Sequence, residues 1–147
     1  MTPDVGTELI NPLAGTKSVF TATAGSTDGA YVEIEATYPA NSQKPPLHLH
    51  PAQTEEFEIL DGSLRVIRGE ESFTVEVVDK FTVAPGTPHQ MWARDEGAVM
   101  RWRTTPAMRT GELFCEMWKV ARDNEWTPSP LQMFEAVSQF PDEFCLC

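Results

Sequence analysis

Histidine is scarce in this chain, with three copies in 147 residues. Cysteine is equally rare, and its three copies, Cys115, Cys145 and Cys147, are odd in number and fall late in the chain. That distribution excludes a disulfide framework. Basic residues number 11 against 22 acidic ones, for a formal net charge of -11. A chain so short of Lys and Arg lacks the clustered cations that nucleic acid or an anionic membrane surface requires, so neither is an expected partner. No apolar run approaches the ~20 residues of a membrane span. The opening Met1-Thr2-Pro3-Asp4 shows neither a basic stretch nor an apolar one behind it, so no signal peptide is read and the cytoplasm is the expected compartment. Internal repeats and low-complexity segments are also lacking.

What the chain does have is alternation and turn punctuation. Residues 1–17 carry Pro3, Gly6, Pro12 and Gly15 with little periodicity, and read as an irregular N-terminal arm. Val32, Ile34 and Ala36 alternate with Glu33 and Glu35, the pattern of a strand with one face in water. Further short strands follow, separated by Asp61-Gly62, Gly69-Glu70, Pro85-Gly86-Thr87-Pro88 and Asp95-Glu96-Gly97, each with turn chemistry. Many short strands at this spacing predict a mainly β, closed or sandwich-like domain over residues 18–105. After Pro106 the period changes. Leu113, Met117 and Val120 form a helical stripe over 112–122, and a second helix is expected over 131–140, between Pro130 and Pro141. Residues 106–147 therefore read as a helical extension of a single domain.

The three histidines sit in two short motifs. His48 and His50 are two apart, so an extended backbone points them the same way. Glu55 follows and leads a strand whose same-face neighbours, Phe57 and Ile59, are apolar. A carboxylate at the head of an apolar face needs a partner, because an unpaired buried charge is costly. His89 heads another strand beyond the Pro-Gly corner, on the same face as Met91. Imidazole and carboxylate together make a good donor set for Fe, Mn, Ni, Cu, Co or Zn. Ordinary loop histidines and a solvated glutamate are the plain alternative, and the fourth member of the set tells against it.

These residues resemble the cupin superfamily, whose first motif runs G-x5-H-x-H-x3–4-E-x6-G and whose second runs G-x5-P-x-G-x2-H-x3-N. His48, His50, Glu55 and Gly62 match the first, and Gly86 and His89 the core of the second. Ser42, Val78, Ala84 and Ala93 depart from it at positions that shape turns rather than bind metal. The resemblance covers about residues 30–105. It implies a double-stranded β-helix, or jelly-roll barrel, with two short C-terminal helices appended. It also implies that His48, His50, Glu55 and His89 are metal ligands. Cupins with three His and one Glu include quercetinase-type dioxygenases and oxalate-degrading enzymes. Others are isomerases, lyases, cyclases or plain binders, so fold and ligand set leave the reaction open.

Alternation places Phe57, Ile59, Met91, Met100 and Trp102 on the inner surface beside the ligands, and Arg101 and Arg103 outside. The expected site is an apolar, aromatic-rich pocket, suited to a hydrophobic or aromatic small molecule. The leading expectation is a metal-dependent oxygenase with Fe(II) as the favoured ion and Glu55 as ligand and general base. Non-oxidative isomerisation, cyclisation or decarboxylation at the same ion, and small-molecule binding without chemistry, are the alternatives. Trp92 falls on the outer face, where the helices or a second subunit would cover it, so a homodimer is expected.

Overall fold

The computed structural model describes all 147 residues. Nine strands form one hydrogen-bonded network that does not close on itself: β1 (Glu8–Asn11), β2 (Thr16–Ala22), β3 (Val32–Tyr38), β4 (His48–Leu49), β5 (Thr54–Arg68), β6 (Glu71–Glu76), β7 (Lys80–Val83), β8 (His89–Thr105) and β9 (Cys145–Leu146). The architecture is the expected mainly-β sandwich of the jelly-roll kind, with the two expected helices, α2 (Thr110–Asp123) and α3 (Pro130–Val137), after it. A four-residue helix, α1 (Ala24–Thr27), lies between β2 and β3 and opens on a capping box between Thr23 and Ser26.

Two long strands organise everything else. The first half of β5 pairs with β7 and with the second half of β8, while its second half pairs with β6 and the first half of β8. β3 lies on the other side of the second half of β8, and β4 beside its first residue, His89. One ribbon of two strands therefore contributes to both layers and bends between them. The Asp61-Gly62 and Asp95-Glu96-Gly97 signals, expected as turns between separate strands, are instead the inside of this bend. The register slips between Ile59 and Asp61 and again between Gly62 and Leu64. Gly62 (φ 72°) and Gly97 (φ 68°) meet there, and a Cβ on Gly62 would lie 2.0 Å from the Gly97 carbonyl oxygen. Only a residue without Cβ lets the two backbones approach so closely.

Between the layers, Phe20, Ile34, Ile59, Leu64, Val66 and Met100 are almost wholly buried. Each such side chain contributes about 1.5–3 kcal/mol of apolar burial. The segment 1–17 departs from the irregular arm expected of it. β1 forms an antiparallel hairpin with β2, which extends the β3 side of the sheet. The Asn11 side chain accepts from the amides of Leu13 and Ala14 and so closes the turn that Pro12 and Gly15 disguised as a loop. The second helix is shorter than the 131–140 expected. Ser129 caps it through a reciprocal box with Gln132, Pro130 occupies its first turn, and it ends at Val137.

Candidate metal centre

The three histidines converge. His48 lies on β4 and pairs across the sheet with His89 at the start of β8. His50 follows β4 by one residue and is buried. Glu55 reaches the same point from β5 in the facing layer. Possible ligand nitrogens of His48, His50 and His89 all lie within 4.8 Å of one another. Glu55 Oε1 is 2.9 Å from His50 Nε2 and 2.8 Å from His89 Nε2, and Glu55 is 2% exposed. All four residues marked by spacing are thus brought together.

Backbone carbonyls set the rings. His48 Nδ1 donates to Pro46 O (2.9 Å), His50 Nδ1 to Glu143 O (2.7 Å) and His89 Nδ1 to Thr87 O (2.9 Å). With the proton on Nδ1, a neutral ring presents its Nε2 lone pair, the arrangement that second-sphere carbonyls impose on metal-binding histidines. The Pro-Gly corner serves the same end, since the Gly86 amide donates to the His50 carbonyl (2.9 Å) with Gly86 at φ 75°.

This geometry leaves a conflict of acceptors. His50 Nε2 and Glu55 Oε1 are both buried and neither has a hydrogen-bond partner, although they lie 2.9 Å apart. Two lone pairs face each other unless something positive intervenes, and a buried unsatisfied acceptor costs about 1–3 kcal/mol. Burial lowers the proton affinity of His50, but the Glu55 carboxylate and the Glu143 carbonyl outweigh it and hold the ring above its ordinary value. Burial would also raise Glu55, but the His50 and His89 rings beside it prevail and hold it down at about 2. His48, by contrast, is lowered to about 4, mainly by burial. The ionised carboxylate calls for positive charge beside it, which a proton on His50 or a bound cation supplies. A divalent cation ligated by His48, His50, Glu55 and His89 fits that demand.

Above these residues opens a cavity of about 900 Å³. Phe57, Met91, Met100 and Trp102 line it, as alternation implied. Ile59 does not. It lies one alternation further along β5, opposite Met100, and is sealed in the core at 1% exposure. No Lys or Arg lines the cavity, and Glu55 is its only acid. Arg101 and Arg103 lie on the outer face, where Arg103 binds Glu33 through two hydrogen bonds (2.8 and 3.1 Å) and covers the Tyr31 ring. Trp92, on the outer face, is half-buried. Lys44 from the loop before β4 lies over its ring at 4.5 Å.

Residues 34–105 match the family model described as the Cupin domain. The protein belongs to the cupin superfamily. Solved structures of similar fold include KdgF from Halomonas sp., at 14% identity over 66% of this chain and 83% of that one with TM-score 0.56. An RmlC-like cupin from Shewanella frigidimarina shares 14% identity over 67% of this chain and 82% of that one, with TM-score 0.57. An HTH_3 family transcriptional regulator from Vibrio cholerae shares 17% identity over 69% of this chain and 57% of that one, with TM-score 0.56. At these identities the likeness is one of fold. No curated protein matches the chain in sequence.

Much of this cupin's cavity wall was not foreseen. Phe114, Met117 and Ala121 of α2, Trp126 of the α2–α3 connection, Met133 of α3 and Phe144 after it complete the chamber. The helical extension is therefore the outer wall of the cavity. The helical stripe was a signal for Met117, but it reads equally as ordinary packing. Leu113, one turn earlier on that stripe, does pack into a small core with Val137, Phe140 and Phe144. No helix is long and apolar enough to cross a membrane.

Proposed function

We propose that this cupin is a metal-dependent enzyme acting on a neutral, apolar or aromatic small molecule by oxygenase-type chemistry. The observation that carries the reading is the meeting of three carbonyl-oriented imidazoles and Glu55 at the floor of a large, aromatic-lined cavity without Lys or Arg. His48, His50, Glu55 and His89 would hold the ion, with Fe(II) favoured over Mn, Ni, Zn, Co or Cu for redox work. Once bound, it supplies Lewis-acid activation of a substrate oxygen and redox activation of dioxygen.

The chain's own residues supply the rest. Phe57, Met91, Met100 and Trp102 hold an apolar ring against the floor and keep bulk water away. Tyr38, in the same lining, is raised to about 12 by burial and the nearby Glu55 charge, so it stays a proton donor at neutral pH. Glu55 acts first as ligand, because its low proton affinity favours the ionised form. It serves as base only toward a proton acidified at the site. A substrate carboxylate would find no Lys or Arg in this lining, only the metal ion, and would face a net charge of -11, which supports a neutral substrate. The homodimer belongs to the same proposal. It would form through the outer sheet that carries Trp92.

The test is anaerobic reconstitution with Fe(II), then oxygen uptake on a panel of neutral hydroxylated aromatics. Uptake that disappears in His89→Ala supports the reading. Equal turnover under argon or with Zn(II) would replace it with non-oxidative isomerisation, cyclisation or decarboxylation. A ligand recovered unchanged with every metal would leave a binding protein.

A further inference from the structure

Residues 143–147 sit far from both histidine motifs in sequence and touch both histidines of the first. The Glu143 carbonyl accepts from His50 Nδ1 at 2.7 Å, the shortest of the three ring-to-carbonyl contacts. The Phe144 ring stacks on His48, with centroids 4.8 Å apart and planes at 13°, and meets His50 edge-on at 6.0 Å. β9 then adds to the sheet beside the ligand strand, pairing Leu146 with His48 and Cys145 with Leu49, and the Cys147 amide donates to Leu47 O (3.1 Å). Phe144 and Leu146 also line the cavity. One five-residue segment thus sets the tautomer of one ligand, the ring plane of another and the backbone of the strand that carries them.

The segment is anchored from behind. Phe140 and Phe144 pack with Leu113 and Val137. Arg109 donates to Gln139 O (3.0 Å), lies over the Phe140 ring and comes within 3.5 Å of Glu143 Oε1, whose side chain is 2% exposed. A solvated strand end needs none of these contacts. The other ligand-orienting carbonyls, Pro46 and Thr87, each lie two residues from their own histidine and cannot move independently of it. Glu143 is 93 residues from His50, so this contact exists only when the segment is docked.

We propose that residues 143–147 are a positioning element of the metal centre, with Glu143 O and Phe144 fixing His50 and His48, so that docking of the segment and loading of the metal favour each other. The inference rests on the metal reading given above. Coupling of this kind is reciprocal: whatever docking adds to metal affinity, metal adds to docking.

Two arms test it, with Co(II) as the probe. In the first, Co(II) affinity is measured by competition with a chromophoric chelator, and the visible absorption of the bound ion is recorded. A chain ending at Asp142 is expected to bind Co(II) at least about tenfold more weakly with an altered visible spectrum, the range typical of lost second-sphere contacts. Phe144→Leu keeps an apolar anchor and removes the stack. It is expected to shift the spectrum and weaken binding by a few fold, while thermal stability in EDTA changes little. The second arm uses the unaltered chain: Co(II) should slow amide hydrogen exchange across residues 143–147 as well as 47–50. Wild-type affinity and spectrum in a folded truncated chain, or in Phe144→Leu, would overturn the inference. So would protection confined to 47–50. A wild-type chain that binds no Co(II) would overturn the metal reading itself, which distinguishes the two failures.

Discussion

The floor and the outer wall of the cavity are made in different ways. Floor residues lie on or beside strands of two facing layers; backbone carbonyls lock the three imidazoles, and His50, Glu55 and His89 are buried, with His89 at 1% and Glu55 at 2% exposure. The outer wall comes from helices and connections, and its aromatic rings pack variously on strand residues, on the histidines and on one another, with Phe114 against Trp102 and Phe144 against His48. Trp126, for example, packs on Trp118, whose indole donates to Ile10 O (2.9 Å) from the N-terminal hairpin. Polar groups held rigidly at the floor set the chemistry. On the proposed reading, apolar groups in the wall set what fits. Outside residues 143–147, which touch both, the two should fail independently when changed.

The largest separation is expected from His89→Ala. Removing a ligand should weaken metal binding by more than about 100-fold, beyond the usual effect of second-sphere changes. The apolar dye Nile red should still bind the wall within a few fold, as fluorescence titration would show. Leu64→Ala probes the core away from both regions. It should cost about 2–5 kcal/mol in chemical denaturation, since Leu64 is wholly buried, yet leave metal stoichiometry unchanged.

The same contrast explains what could be read from the chain. Floor residues follow strand periodicity, so His48, His50, Glu55 and His89 announced themselves through spacing. Ile59 was misplaced because alternation gives a face of the sheet and not the depth along it. The bend in β5 and β8 was hidden for another reason. A positive-φ glycine after an acidic residue is local chemistry shared by hairpin turns and bulges. What decides between them is the opposing Gly97, 35 positions away in the chain. The outer wall was least legible. β9 has two residues and no period to detect, and Phe144 meets His48 only through tertiary docking.

A smaller effect should come from Met117→Ala in the wall. Losing a half-buried thioether should weaken Nile red binding by a few fold and shift substrate preference, while Co(II) affinity stays within about twofold. The mildest contrast lies among the thiols. Burial raises Cys115 to about 11, whereas Cys147 is exposed. Iodoacetamide at pH 8 should therefore label Cys147 readily and Cys115 only after denaturation, as intact-mass spectrometry would show. Rapid labelling of Cys115 in the native protein would mean that α2 opens more freely than its packing implies.

The most direct test of the account is metal stoichiometry after exhaustive dialysis, measured by elemental analysis on wild type and on His50→Ala. The account predicts one divalent ion retained per wild-type chain and none by the variant. A wild-type chain that retains no ion, or a variant that retains as much, would contradict it.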